Sequence, residues 1–308
     1  MNIISLFSGA GGLDLGLIQA GHRIIWANDI DENAVATYRA NVDPNIIQAD
    51  IKDIQIDDIP NGDVVVGGFP CQGFSIANMR RTVDDDRNLL YQFFYRTILT
   101  KQPSFFIAEN VKGILSLGGG TIIQTIIKDF NEAGYKVEYH LVNMADYGVP
   151  QHRERVIIIG QRNDLGENML FHFPKPTHSK KNWVSIKDAL QHLPQAGDTT
   201  HDPNNYGSNY KIVVRNFTAH RKTNPDLPSP TILARGNGKG GVCAIPHYNG
   251  QRRLTIRESA VIQTFPLDFV FYGNMGSCYR QIGNAVPVHF GEILGNELAR
   301  IENQERWM

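Results

Sequence analysis

The chain has 308 residues, 42% of them hydrophobic and 20% charged, with a formal net charge of −1. This excludes a disordered, collagenous or low-complexity chain, and the length suits one large domain with a smaller one. No apolar run reaches bilayer length, the start MNIISLFSGAGG has no secretion-signal pattern, and Cys71, Cys243 and Cys278 cannot all pair, so a reducing cytoplasm is the expected compartment.

Along the first 160 residues, strand and helix signals alternate. Residues 2–7 form a short apolar run ending at Gly and Ser. Leu13, Leu17 and Ala20 give helical spacing over 13–20. Residues 23–29 predict a second strand and 32–41 a second helix. Further strands are expected at 46–50, 64–69, 105–110 and 156–160, with helices at 89–100 and 121–133. This alternation predicts an α/β fold with a doubly wound, mostly parallel sheet. Runs such as VVVGGF and RVIIIG are apolar throughout, as strands covered on both faces should be.

After residue 161 Pro, Asn, Gly and His become frequent, as in FHFPKPTHSKKNW and HDPNNYGSNY. That stretch, to residue 255, reads as a smaller, loop-rich domain. Residues 255–265 and 287–305 then read as helices. Val288, Ile293, Leu294, Leu298 and Ile301 lie at helical spacing, so the last helix should pack on the first domain. The expected division is therefore 1–160, 161–255 and 256–308.

Charge follows the same division. Residues 1–150 carry 11 Lys/Arg against 18 Asp/Glu, whereas 151–257 carry 16 against 7 and hold seven of the ten histidines. A basic module on an acidic body suits a polyanion partner; an ordinary solvated basic face is the alternative.

Five segments carry candidate chemistry. FSGAGGL at 7–13 is a glycine turn between the first strand and helix, where the backbone can pass close to a ligand. A dinucleotide pattern would need Gly at 14, where Asp14 stands. Asp29 and Asp50 end the second and third strands, placed to accept from ribose hydroxyls and from an adenine amine, with Ile30 and Ile51 beside them to sandwich the ring. The alternative is that both acids are helix caps. GGFPCQGFS at 67–75 sets Cys71 in a Gly/Pro loop past a strand end, where a thiol can be exposed and nucleophilic. A buried small residue is the alternative there, and the preferred reading for Cys243 and Cys278. Glu109 in Ala108-Glu109-Asn110-Val111 can share a proton at a strand end, or merely cap the next turn. Arg153 and Arg155 in QHRER lie two apart, on one face of an extended segment. They could grip one carbonyl oxygen or phosphate together, or be edge-strand charges.

With Arg280-Gln281-Ile282-Gly283-Asn284-Ala285, these segments fall in one order, and the set resembles the DNA cytosine-5 methyltransferases from residue 3 to about 290. The small size and absence of an N-terminal extension resemble bacterial restriction-modification enzymes rather than large eukaryotic ones. The resemblance implies the S-adenosylmethionine-dependent methyltransferase fold. It makes 1–160 the catalytic and cofactor-binding domain, 161–255 the target-recognition domain, and 256–308 helices returning to the first.

The resemblance also implies the chemistry. Cys71 would add to C6 of a flipped-out cytosine, Glu109 would contact N3 and the exocyclic amine, and Arg155 would contact O2 with Arg153 in support. S-adenosylmethionine, leaving as S-adenosylhomocysteine, would lie along Phe7, Gly9, Ala10, Gly11, Gly12, Leu13, Asp29, Ile30, Asp50, Ile51, Pro70, Leu90, Asn284 and Ala285. Ser75, Arg81 and Arg87 would contact DNA. No metal is implied. A monomer acting on double-stranded DNA, paired with a restriction endonuclease, is the expected context.

The glycine-rich segment TILARGNGKGGVCAIPH at 231–247 adds Arg235 as a guanine reader and Lys239 as a phosphate contact. A flexible surface turn is the alternative. Competing functions are a tRNA cytosine-5 methyltransferase of the same fold, whose Cys-Phe-Thr tripeptide is absent, a catalytically inactive DNA-binding protein, and a dinucleotide oxidoreductase, which Asp14 disfavours.

Overall fold

A computed structural model of the chain describes residues 1–69, 86–166, 169–207, 223–234, 244–250 and 252–305. Seven strands form one sheet in the order β3-β2-β1-β4-β5-β7-β6. β1 (Asn2–Leu6), β2 (Arg23–Asp29), β3 (Ile47–Gln48), β4 (Val64–Gly67) and β5 (Phe105–Val111) run parallel. β7 (Glu154–Arg162) lies antiparallel between β5 and β6 (Tyr135–Asn143). β1 and β4 are buried from Ile3 to Leu6 and Val64 to Gly67, because helices cover both faces. The α/β class and the mostly parallel sheet agree with the sequence expectation.

Two strands depart from that expectation. β3 is two residues long, because the chain turns at Asp50, whose carboxylate accepts from the Lys52 amide (3.1 Å) and caps a short 3-10 turn. β6, absent from the sequence reading, is an edge strand with both polar and apolar residues exposed. Its apolar residues Tyr135, Val137, Tyr139 and Leu141 alternate with polar ones, so no continuous run stands out.

The helices are α1 (Gly12–Gln19), α2 (Glu32–Asn41), α3 (Asp86–Lys101), α4 (Thr121–Glu132), α5 (Ile186–Leu190), α6 (Ile256–Ile262), α7 (Met275–Asn284) and α8 (Val288–Glu305). α6 starts with a reciprocal capping box between Thr255 and Glu258. α5 and α7 carried no sequence signal strong enough to be expected. Among the described residues, no helix is long and apolar enough to cross a membrane.

Among the described residues three apolar cores result. Two flank the sheet, one of them joining Ile3 and Leu17 to Phe290, Leu294, Leu298 and Ile301 of α8. The third gathers Ile186, Leu190, Ile232 and Leu254 of the loop-rich stretch with Phe265, Cys278, Tyr279 and Ile282 around α6 and α7. Cys278 is fully buried there, as a small core residue.

α8 crosses α1 where both helices carry glycine. A Cβ on Gly16 would stand 2.2 Å from the Val288 carbonyl oxygen, and one on Gly291 would stand 2.8 Å from the Leu13 carbonyl oxygen. Those neighbours are backbone and cannot swing aside. Gly16→Ala should therefore destabilise the chain by about 1–3 kcal/mol or more. A lowered urea midpoint at unchanged m-value would register it, and wild-type stability would contradict the close crossing.

Candidate active site

The sheet order reverses between β1 and β4, and a cavity of about 650 Å³ opens at the carboxyl ends of these strands. Its floor is the turn from β1 into α1. Phe7 (φ 58°), Gly9 (φ 56°) and Gly11 (φ 86°) all adopt left-handed backbone there. The space beside Gly9 is open, with nothing within 4 Å of where a Cβ would stand. The Gly9 amide donates to Asp29 Oδ2 (2.8 Å), and the Asp31 amide donates to Asp29 Oδ1 (2.8 Å). Burial raises the Asp29 pKa, and these amide donors oppose the shift.

Most of the expected residues converge on this cavity. Phe7, Gly9, Ala10, Gly12, Leu13, Asp29, Ile30, Asp50, Ile51, Leu90, Asn284 and Ala285 line it, together with Glu109, Arg153 and Arg155. Gly11 does not; its Cβ direction meets Val42 at 2.8 Å and Tyr38 at 2.9 Å, so it packs against α2. The cap alternative divides the two strand-end acids. Asp31, not Asp29, caps α2, accepting from Asn33 and Ala34 amides. Asp50 does serve as a cap. Ile30 is 63% exposed, so it offers a broad apolar face, while Ile51 is 3% exposed.

Asp14 braces the turn from below. Its carboxylate accepts from the Ser5 hydroxyl (2.8 Å) and the Tyr38 hydroxyl (2.7 Å). Full burial raises its pKa from 3.8 to about 6, with the hydroxyls of Tyr38, Ser5 and Ser8 opposing.

Across the cavity, β5 and β7 bring an acid and a base together. Val111 faces Arg155 in the register, so Glu109, two residues back, lies diagonally on the same face. Arg155 Nε and Glu109 Oε1 are 2.7 Å apart, both side chains nearly buried. The approach is too bent for an N–H···O hydrogen bond, so Oε1 retains a lone pair for a better-aligned donor. Asn110, next in β5, donates to the Phe69 carbonyl (2.8 Å), fixing the chain just before residue 70.

The two arginines do not form the shared grip expected from their spacing. Arg153, before β7 begins, is 1% exposed. Its guanidinium donates to the carbonyls of Ile232 (3.2 Å), Gly283 (3.0 Å) and Ala285 (3.0 Å). Burial, then the charge of Arg155, lowers its pKa to about 9, which leaves it cationic at neutral pH. The tertiary reason is the end of α7, whose carbonyls would otherwise be buried without donors.

Gln263 adds a second clasp, which the sequence reading did not single out. It accepts from Gln151 Nε2 (2.8 Å) and donates to the Ile282 (2.7 Å) and Ala285 (3.2 Å) carbonyls. Gln151 in turn accepts from the Ile232 amide (2.8 Å). Arg280 also lines the cavity and pairs with Asp31 (2.9 Å). Its place in the RQIGNA segment was the only sequence signal for it.

Pro70, Cys71, Ser75, Arg81, Arg235, Lys239 and Cys243 lie outside the described residues, as does the side chain of Arg87 on α3. Among the described residues, no three His, Cys, Asp or Glu side chains are grouped to hold a metal.

A family model for C-5 cytosine-specific DNA methylases matches residues 1–300. The type II methyltransferase M.NgoFVII of Neisseria gonorrhoeae is 38% identical over 92% of this chain and 83% of its own length. M.BspRI of Lysinibacillus sphaericus, also a type II methyltransferase, is 38% identical over 97% of this chain and 81% of its own. The crystal structure of a prophage-encoded E. coli methyltransferase, assigned to DNA modification, superposes with a TM-score of 0.75 at 28% identity. It covers 98% of this chain and 99% of its own.

The Asp14 environment makes stability depend on pH. Its folded pKa of about 6 lies above the ordinary 3.8, so burial of the charge costs stability above pH 6, and the cost fades as pH falls toward 4. Wild type should gain about 1 kcal/mol relative to Asp14→Asn between pH 7 and pH 5. Urea titrations of both proteins at the two pH values measure this, and a pH-independent difference would contradict it.

Proposed function

Because the chain belongs to the C-5 cytosine-specific DNA methylase family, we propose that it methylates C5 of a flipped-out cytosine in a specific sequence of double-stranded DNA. We further propose that it protects DNA against a cognate restriction endonuclease, as the type II names of its relatives suggest. The observation that carries this reading is the Glu109–Arg155 pair, set on one face of β5 and β7 inside the cavity.

C5 of cytosine is a weak nucleophile. In the proposed reaction the Cys71 thiolate forms a bond to C6, and the C5=C6 electrons move toward C5 and the N3 side of the ring. Glu109 accepts from the exocyclic amine with the oxygen that its contact with Arg155 leaves without a hydrogen bond, and passes a proton to N3 as negative charge builds there. Arg155 faces the O2 oxygen of the ring. Arg153 supports from behind by fastening Ile232 and the end of α7 to the start of β7. After methylation C5 loses its proton, the C6–S bond breaks with its electrons returning to sulfur, and 5-methylcytosine leaves. A stacked base cannot enter such a cavity, so the nucleotide must rotate out of the duplex, at a cost of roughly a few kcal/mol.

The cavity suits S-adenosylmethionine. The open backbone at Gly9, the carboxylate of Asp29 and the exposed apolar face of Ile30 match the amino-acid, ribose and adenine parts of such a molecule. Phe7, Gly9, Ala10, Gly12, Leu13, Asp29, Ile30, Asp50, Ile51, Leu90, Asn284 and Ala285 would hold it. When bound, it supplies an electrophilic methyl group on a sulfonium sulfur.

Methyl transfer to duplex DNA tests the reading. Cys71→Ser should lose several orders of magnitude in turnover while still binding DNA and cofactor. A duplex with 5-fluorocytosine should trap a covalent adduct on Cys71, because fluorine cannot depart as a proton does. Near-normal turnover of the serine variant, or an adduct mapping to Cys243 or Cys278, would overturn it. Glu109→Gln should lower kcat more than it raises the apparent Kd for DNA. A change in Kd alone would reduce Glu109 to a positioning residue.

A further inference from the structure

The basic excess of residues 151–257 is not one surface. Among its described arginines, Arg153, Arg253 and Arg257 are at most 2% exposed. Arg257 is held by Asp202 (2.6 Å), Arg252 by Glu258 (2.7 Å), Arg162 by Asp164 (2.7 Å) and Arg155 by Glu109 (2.7 Å). These charges are buried or paired with carboxylates. Among the described residues of this stretch the free positive charge is carried by lysines, and Lys175, Lys180 and Lys181 lie close together in sequence on one exposed strap. No carboxylate among the described residues pairs with them.

The strap is fixed. The amides of Thr177 (3.0 Å) and His178 (2.9 Å) donate to the Asp146 carbonyl, and Trp183 Nε1 donates to Asp146 Oδ1 (2.8 Å). Asn182 Oδ1 accepts from the Ser179 amide (2.9 Å) and closes the turn that presents Lys180 and Lys181. Asp146 follows directly on β6, in the turn Met144–Tyr147.

Its location is set by the sheet. Asn143 at the end of β6 faces Glu154, and Arg155 faces Val111 at the end of β5. The strap is therefore tied to the same sheet edge that carries Glu109 and Arg155. His152, next to Arg153, packs edge-on against the Trp183 ring (4.6 Å). Burial lowers the His152 pKa, Asp146 opposes the shift and Lys180 adds to it, so the Lys180 charge acts at the start of β7.

We propose that residues 175–183 form a second phosphate anchor for the DNA duplex, beside the flipped cytosine and separate from Arg235 and Lys239. This rests on the DNA methyltransferase reading above. Ammonium groups are compact charges without the fork that reads a base edge, so the anchor is indifferent to sequence. A strap already held by Asp146 loses little conformational freedom when it meets the backbone. Its phosphate contacts help offset the unstacking of the target nucleotide.

The test is the salt dependence of full-chain binding to duplex DNA, followed by fluorescence anisotropy. Replacing Lys175, Lys180 and Lys181 together by Ala should make the slope of log K against log salt shallower by about 2–3, on cognate and unrelated duplexes alike. The corresponding triple Arg protein should keep the wild-type slope, since the charge is preserved. An unchanged slope in the Ala protein, a reduced slope in the Arg protein, or a change seen with tRNA but not with duplex DNA would each overturn the anchor. Wild type that binds no duplex at all would instead remove the underlying function.

Discussion

A cation with no water to solvate it must be surrounded by oxygen, and in this protein that cation is Arg153. Its guanidinium takes carbonyls from Ile232, Gly283 and Ala285, so one side chain joins the sheet, the loop-rich stretch and the end of α7. Losing any of the three would leave a buried charged donor short of a partner, at a cost of about 1–3 kcal/mol. The Gln151–Gln263 clasp repeats the connection with neutral groups, and it ends on the same Ala285 carbonyl. The two sides of the cavity are thereby held in one geometry: the proposed cofactor shelf at Asn284 and Ala285, and the proposed base pocket at Arg155.

That geometry explains how Glu109 and Arg155 can be close without cancelling each other. Both sit on neighbouring strands, diagonal in the register, and at 2.7 Å they pair without a linear hydrogen bond. The ion pair keeps the carboxylate supplied with positive charge in a nearly buried place. The bent contact keeps its oxygen available to something else. A site built on strands holds such a compromise better than one built on loops.

The other wall of the cavity depends on close backbone approach. Glycines at 16 and 291 let α1 and α8 come together at backbone distance, Gly12 lets the start of α1 approach the Val286 carbonyl, and Asp14 ties that start to Ser5 and Tyr38. Asp14 thus occupies the position where a dinucleotide-binding turn would carry glycine, and spends its charge on internal hydroxyls. The turn can follow a ligand at Gly9 because its far side is braced.

The sequence by itself determined the elements whose signals are local. Continuous apolar runs specified β1, β4 and β5, helical spacing specified α1, α2, α4 and α8, and the ordered motifs specified the family, now shown by a match over residues 1–300. Strand ends and the family resemblance also named fifteen of the residues that line the cavity. The sequence did not determine β6, whose apolar residues alternate with polar ones along an exposed edge, nor the length of β3, which ends where Asp50 caps a turn. Nor did spacing separate Arg153 from Arg155, to which only the family resemblance gave different roles, or charge separate the buried arginines from the exposed Lys175, Lys180 and Lys181. Charge and spacing are the same for a cation in water and for one sealed against carbonyls. Only the tertiary structure decides which, because the partners of Arg153 lie 79, 130 and 132 residues away along the chain.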